Sequence, residues 1–172
     1  SDFQHPCQAL GDLLTIKVYF KSFNNLKICY VGDGNNVFNS LAEACHLVGI
    51  NLSFVGPKGY WPDLKKLECS EILITDDILD IPKDVDVIYT DSWVSIGQEE
   101  ESKKRLSEFS AYTITKKMMS RLPSHTLFMH CLPAHRGLEV HDEVIDSPQS
   151  VVYDQADNRK HIQKSLLKWM LD

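Results

Sequence analysis

The sequence predicts an α/β fold: a doubly wound parallel sheet with helices on both faces. Three observations predict it. Short apolar runs rich in β-branched and aromatic residues recur along the chain, segments of helical periodicity separate them, and Gly, Pro or Asn marks most boundaries. Successive parallel strands need a crossover, and a right-handed helical crossover packs back onto the sheet.

Cys7 to Phe20 carries Leu10, Leu13, Leu14, Ile16 and Val18, which fits a helix starting after Pro6, a residue tolerated at a helix N-terminus. Leu26 to Val31 is a strand, broken by Gly32-Asp33-Gly34-Asn35-Asn36. Val37 to Val48 has helical spacing (Val37, Leu41, Ala44, Cys45, Val48), and Gly49 is placed to cap it. Asn51 to Val55 is a second strand, followed by the Gly56-Pro57-Lys58-Gly59 loop. Glu71 to Thr75 and Val85 to Thr90 are further strands, and Gly97 to Phe109 and Thr115 to Arg121 are helical. Thr126 to Met129 and Ser150 to Tyr153 read as the last strands. Arg159 to Leu171 closes the chain as an amphipathic helix with Ile162, Leu166, Leu167 and Met170 on one side.

The 172 residues suffice for one domain with a full core, at 43% apolar and 24% charged composition. A net charge of -6 argues against a nucleic-acid partner, whose phosphates need clustered cations. The dense charge run from Gln98 to Arg105 mixes both signs at helical spacing and reads as a solvated helix face. The five cysteines (Cys7, Cys29, Cys45, Cys69, Cys131) are odd in number and scattered, which points to a reducing compartment rather than a disulfide framework. A cytoplasmic location is expected, with no membrane association, because no run of about 18 apolar residues occurs. The opening Ser1-Asp2-Phe3-Gln4-His5-Pro6 has the look of mid-protein sequence, so a fragment of a longer chain is expected.

Parallel sheets of this type bind ligands beyond the carboxyl ends of their strands. The residues that follow the strands are Gly32 to Asn36, Pro57-Lys58-Gly59, Asp91-Ser92-Trp93-Val94-Ser95, His130-Cys131-Leu132-Pro133 and Asp154-Gln155. This rim is rich in amides and hydroxyls, carries a carboxylate and a thiol, and suits a small polar ligand bearing an amine. A dinucleotide is not expected: the third glycine of a G-x-G-x-x-G fingerprint falls at Val37, and no acidic residue follows the second strand at Val55-Gly56-Pro57. The glycines then serve a tight turn, or Asn35 and Asn36 at the helix start bind a carboxylate or carbonyl group.

His5 and Gln8 lie three apart and share a face, either as donors to one developing oxyanion or as helix caps. Cys131 reads as a packing residue or as a nucleophile or proton carrier, since an ordinary thiol is only a few per cent ionised at pH 7. No metal is expected, because His130, Cys131, His135 and His141 lack the paired short spacings of zinc sites. Arg159, at the predicted start of the last helix, faces the positive end of the helix dipole, so a bound anion or an ion pair with Asp157 is expected to offset it.

His5-Pro6-Cys7-Gln8, Gly32-Asp33-Gly34-Asn35-Asn36, Pro57-Lys58-Gly59-Tyr60, Asp91-Ser92-Trp93-Val94-Ser95-Ile96-Gly97, His130-Cys131-Leu132-Pro133 and Asp154-Gln155-Ala156-Asp157-Asn158-Arg159 follow in that order. Together they resemble the ornithine carbamoyltransferases of the aspartate/ornithine carbamoyltransferase superfamily. The resemblance implies a Rossmann-like ornithine-binding domain over residues 25–172, joined through a connecting helix in residues 1–24 to a carbamoyl phosphate domain that this chain lacks. It implies attack of the δ-amine of L-ornithine on carbamoyl phosphate, giving L-citrulline and phosphate without a cofactor, as in arginine biosynthesis and the urea cycle. Asn36, Asp91, Ser95 and the backbone at Ile96 would hold ornithine, with Asp91 and Cys131 near its δ-amine. His5 and Gln8 would polarise the carbamoyl oxygen, carbonyls at Cys131 and Leu132 would orient its amide, and Arg159 would help bind carbamoyl phosphate.

Ile96 stands where the family usually has Met, which leaves putrescine or acetylornithine as alternative substrates. The family's Ser-x-Arg-Thr-Arg phosphate loop occurs nowhere in the sequence, so the chain alone is expected to be inactive or nearly so. A truncated ligand-binding or regulatory module is the other reading. Full-length members of the family are expected as homotrimers.

Overall fold

The computed structural model describes residues 1–69, 72–94 and 102–172. Lys27–Val31 (β1), Asn51–Val55 (β2), Leu73–Thr75 (β3), Val87–Thr90 (β4) and Leu127–His130 (β5) form one sheet in the order β3-β2-β1-β4-β5. All four pairings are parallel. The order reverses between β1 and β4, so the loops that leave these neighbouring strands diverge and open a crevice there.

A parallel sheet is covered on both faces, and the alternation along each strand shows it. Ile28 and Tyr30 of β1, Phe54 of β2, Tyr89 of β4 and Met129 of β5 pack on one face with Pro6–Phe20 (α1) and Asn36–Val48 (α2). Cys29, Val31, Ile88 and Phe128 pack on the other with Ile114, Val140 and the short helices Lys116–Met119 (α4) and Asp142–Ile145 (α5). Tyr30 is the hub of the first face, with ring centroids 5.4 Å from Tyr89, 6.0 Å from Phe54 and 5.2 Å from Phe38. Ser102–Phe109 (α3) and Val152–Leu171 (α6) complete the described helices. Among the described residues, no helix is long and apolar enough to cross a membrane.

Two glycines permit contacts that a side chain would prevent. A Cβ on Gly34 would lie 2.4 Å from the backbone nitrogen of Pro62, so the Gly32-Asp33-Gly34 turn serves close loop packing. A Cβ on Gly11 would lie 3.0 Å from the Cα of Arg159, so α1 and α6 touch almost backbone to backbone.

Three expectations are corrected. Ser150 to Tyr153 is not a strand: Ser150 makes one isolated bridge to Phe128, and α6 starts at Val152. Val151 and Val152 have strand propensity, but the neighbouring backbone supplies only that bridge and the chain turns directly into a helix. Arg159 therefore sits two turns inside α6, and the dipole argument for an anion lapses. Arg105 is not on a solvated face: it is 4% exposed and ion-paired with Asp33. On the apolar side of α6, Ile162 and Leu166 are half-buried while Leu167 and Met170 are exposed.

Candidate functional site

The loops after β4 and β5 meet the starts of α1 and α2 and the middle of α6 around a cleft of about 420 Å³. Its lining includes His5, Gln8, Asp91, Ser92, Cys131, Leu132, Pro133, His135 and Arg159. Sequence reasoning placed six of these at the site (His5, Gln8, Asp91, Cys131, Leu132, Arg159), and they converge although they span both ends of the chain.

Asp91 is the centre of one wall. Its Oδ1 accepts from the Ser92 N–H at 2.7 Å and lies 2.8 Å from the Cys131 sulfur, and its Oδ2 accepts from the Asn35 amide at 2.7 Å. A carboxylate has about four acceptor positions. Among the described residues three are filled, which leaves one on Oδ2 for an N–H of a ligand. Asn35 is held for this by its own cap, since its Oδ1 accepts from the N–H groups of Val37 and Phe38 at 3.0 and 3.1 Å. The carboxylate bound at this helix start is thus the protein's own.

Cys131 is a donor here. Burial pushes its thiol pKa well up, and the Asp91 carboxylate adds to the rise. A thiol so held is neither a thiolate nucleophile nor a base. The loop that carries it is fixed from behind. The Leu132 N–H donates to His130 Nδ1 at 2.8 Å, while His130 Nε2 lies 3.3 Å from Glu139 Oε1, both side chains being fully buried. With Nδ1 accepting, the ring proton sits on Nε2 and faces Glu139. Glu139 also accepts from the His135 N–H, so it brackets the loop at both ends. Leu132 adopts φ +56° within this bracket. Ser92 Oγ donates to the Pro133 carbonyl at 2.7 Å and joins the β4 and β5 loops.

Asp91, His130 and Cys131 bring ligand atoms within 4.8 Å of one another. Both ring nitrogens of His130 are already engaged, so a metal there would have to break the loop's own hydrogen bonds.

The opposite wall is cationic. Arg159 Nη1 donates to Gln8 Oε1 at 3.0 Å, and no carboxylate among the described residues forms an ion pair with it. Asp157, its expected partner, pairs instead with Lys160 and His161. His5 precedes α1 without a side-chain cap hydrogen bond, so the capping reading of His5 fails. Burial lowers the His5 pKa, and Arg159 lowers it further, so the imidazole stays neutral at neutral pH. The Gln8 side chain is 2% exposed and donates Nε2 to Asp12 at 2.9 Å, so one amide proton and its oxygen serve Asp12 and Arg159.

Asn36 does not line the cleft; its amide donates to the Ser1 carbonyl at 2.8 Å. Ser95 and Ile96 lie outside the described residues. Sequence reasoning placed Ser92 and Gln155 on the rim but missed Asp12 and Glu139 as buried supports, Gln155 as their companion, and His135 in the lining. A buried carboxylate in helix α1 has one local signal, its i, i+4 spacing to Gln8; the others pair across the chain and leave none.

Residues 24–170 match the family model described as aspartate/ornithine carbamoyltransferase, Asp/Orn binding domain. The ornithine carbamoyltransferase of Methanosarcina acetivorans is 46% identical over 97% of this chain and 57% of its own length. That of Thermococcus kodakarensis is 47% identical over 97% of this chain and 56% of its own length. The solved structure of ornithine carbamoyltransferase from Pyrococcus furiosus superposes with a TM-score of 0.89 at 45% identity, over 97% of this chain and 56% of that one. The chain therefore spans a little over half the length of these relatives.

Proposed function

The chain belongs to the aspartate/ornithine carbamoyltransferase family, and from that membership and its cleft we propose that it is the amino-acid-binding half of an ornithine carbamoyltransferase. The observation that carries the reading is one cleft with an acceptor position of Asp91 open on one wall and, on the other, the guanidinium of Arg159, which has no carboxylate partner among the described residues. An amine and an anion meeting between them is the arrangement that carbamoyl transfer requires.

In this reading Asp91, Ser95 and the backbone at Ile96 hold the amino-acid end of L-ornithine, joined by Asn36 once its amide gives up the Ser1 carbonyl, with Asp91 and Cys131 near the δ-amine. Cys131 acts as an S–H donor that orients Asp91, not as a base. The neutral δ-amine attacks the carbonyl carbon of carbamoyl phosphate, a C–N bond forms, the C–O bond to phosphate breaks, and the amine proton leaves with the phosphate. Neutral His5 and the second amide proton of Gln8 stabilise the developing oxyanion, each such donor being worth about 2.7–4 kcal/mol. Carbonyls at Cys131 and Leu132 orient the carbamoyl NH2, and Arg159 helps bind carbamoyl phosphate. Residues 1–24 act as the connecting helix and 25–172 as the ornithine domain. The full-length protein is proposed as a cytoplasmic homotrimer serving arginine biosynthesis or the urea cycle.

The test is citrulline formation from carbamoyl phosphate and L-ornithine, with putrescine as the competing acceptor. A full-length protein carrying this chain is expected to use ornithine and reject putrescine, and the isolated chain to show little or no turnover. Carbamoylation of putrescine in preference to ornithine would overturn the substrate assignment. Rapid turnover by the isolated chain would overturn the view that the phosphate site lies mostly elsewhere.

A further inference from the structure

Asp12 is fully buried on α1 and lies behind the cleft rather than in its lining. Its Oδ1 accepts from Gln8 Nε2 at 2.9 Å and from Gln155 Nε2 at 2.7 Å, and its Oδ2 accepts from the Tyr89 hydroxyl at 3.0 Å. Each amide has a second task. Gln8 Oε1 holds Arg159 at 3.0 Å, and Gln155 Oε1 accepts from the His130 N–H at 2.9 Å, at the base of the Cys131 loop. One carboxylate oxygen thus sits between the cationic wall and the thiol wall.

We propose that Asp12 is a positioning residue of the cleft: through Gln8 and Gln155 it holds Arg159 and the backbone at His130 in one register, so that the two walls respond together. The inference rests on the proposed function only for what the cleft is used for; the coupling itself needs no ligand. Two hydrogen bonds to one charged oxygen are strong while the charge remains, and both weaken when it is lost. Protonation would also reverse the bond to Tyr89, because one carboxyl oxygen then becomes a donor.

Burial raises the Asp12 carboxyl to about 6, against the pull of its hydrogen bonds and of Arg159, which places the change in an accessible range. The groups facing Asp12 from the packed elements are Arg159 on α6, Tyr89 on β4, Tyr30 on β1, Cys45 on α2 and Cys131 after β5. Burial raises the pKa of both tyrosines and of both cysteines, so they stay protonated through this window. His5, in the cleft beside Arg159, is the group whose titration must be separated from that of Asp12.

The experiment is an NMR titration of the isotope-labelled 19.6 kDa chain between pH 4.5 and 8, without ligand. It follows the backbone amide of His130, the Nε–H of Arg159 and the side-chain carboxyl carbon of Asp12. All three are expected to move with one common midpoint near 6, and the step at both N–H probes is expected to vanish in Asp12→Asn. In Gln155→Leu the His130 step should vanish while the Arg159 step remains, and in His5→Asn both should persist. Different midpoints at the two probes, or a step that survives Asp12→Asn, would overturn the proposal. If Asp12→Asn does not fold, retention of the His130 step in Gln155→Leu overturns it equally. Failure of a full-length protein to use ornithine would sink the functional reading and leave this titration standing.

Discussion

Asp12→Asn has a consequence for stability whose size and sign follow from burial. In the native protein the carboxyl is raised from 3.8 to about 6, burial being the largest cause and the bonds from Gln8, Gln155 and Tyr89 opposing it. At 1.36 kcal/mol per pH unit, a rise of about two units corresponds to about 3 kcal/mol. The folded state holds the proton more tightly than the unfolded chain does. The favourable contribution is therefore fully present below about pH 4, where both states are protonated, and is lost as pH rises through about 6. Asparagine has nearly the same shape, can accept from both glutamines and does not ionise. The stability of the variant minus that of the native protein should therefore grow by about 2–3 kcal/mol between pH 4 and pH 7.5. Urea denaturation of both proteins at several pH values measures this difference, and titrations common to both cancel. A difference that stays flat, or falls as pH rises, would refute the reasoning and mean that the charged form of Asp12 is fully compensated by its neighbours.

Four further outcomes are expected. Arg159→Met should weaken binding of carbamoyl phosphate to a full-length protein by about 10- to 150-fold, the worth of one charged hydrogen bond, in calorimetric titration; its thermal unfolding should change little, because among the described residues its guanidinium hydrogen-bonds Gln8 alone. Asp91→Asn should speed alkylation of Cys131 by iodoacetamide at pH 8, since the carboxylate that helps hold the thiol protonated is gone, although burial still keeps the rate below that of an exposed thiol. Gly11→Val puts a side chain where even a Cβ would meet Arg159 backbone at 3.0 Å, so a loss of about 1–3 kcal/mol is expected in denaturant melts, together with weaker phosphate binding. Arg105→Met leaves the half-buried Asp33 without its cation and should cost about 2–4 kcal/mol, below the figure for a fully buried pair, while the double variant Arg105→Met, Asp33→Asn should recover much of it.

The strands were legible because each is a local event. Ile28 to Val31, Leu52 to Val55, Val87 to Thr90 and Leu127 to Met129 are apolar runs bounded by turn residues, and all lie in the sheet. The α2 boundaries were legible for the same reason, with Asn35 capping one end and Gly49 at φ +74° closing the other. Val151 and Val152 misled because strand propensity is only a preference, and the backbone beside β5 offers one bridge before α6 begins. Arg105 misled because a charge run at helical spacing does not reveal which cation will be buried. That depends on Asp33, 72 residues away, and on the rings of Tyr60 and Phe109, 4.6 and 5.4 Å from the guanidinium.

The sequence by itself determined the parallel α/β architecture and the residues at the carboxyl ends of its strands, since the periodicity of each element and the chemistry of each loop are properties of neighbours along the chain. It also supplied the ordered motifs that identify the family. What only the tertiary structure decided was how those residues are poised. Among the described residues, Asn35, Ser92 and Cys131 occupy three acceptor positions of Asp91 and leave one open. Cys131 keeps its proton because burial and that carboxylate hold it. Arg159 faces Gln8 because Gly11 lets two helices from opposite ends of the chain touch. Each of these depends on distances and desolvation between segments far apart in sequence, and such quantities exist only once the chain is folded.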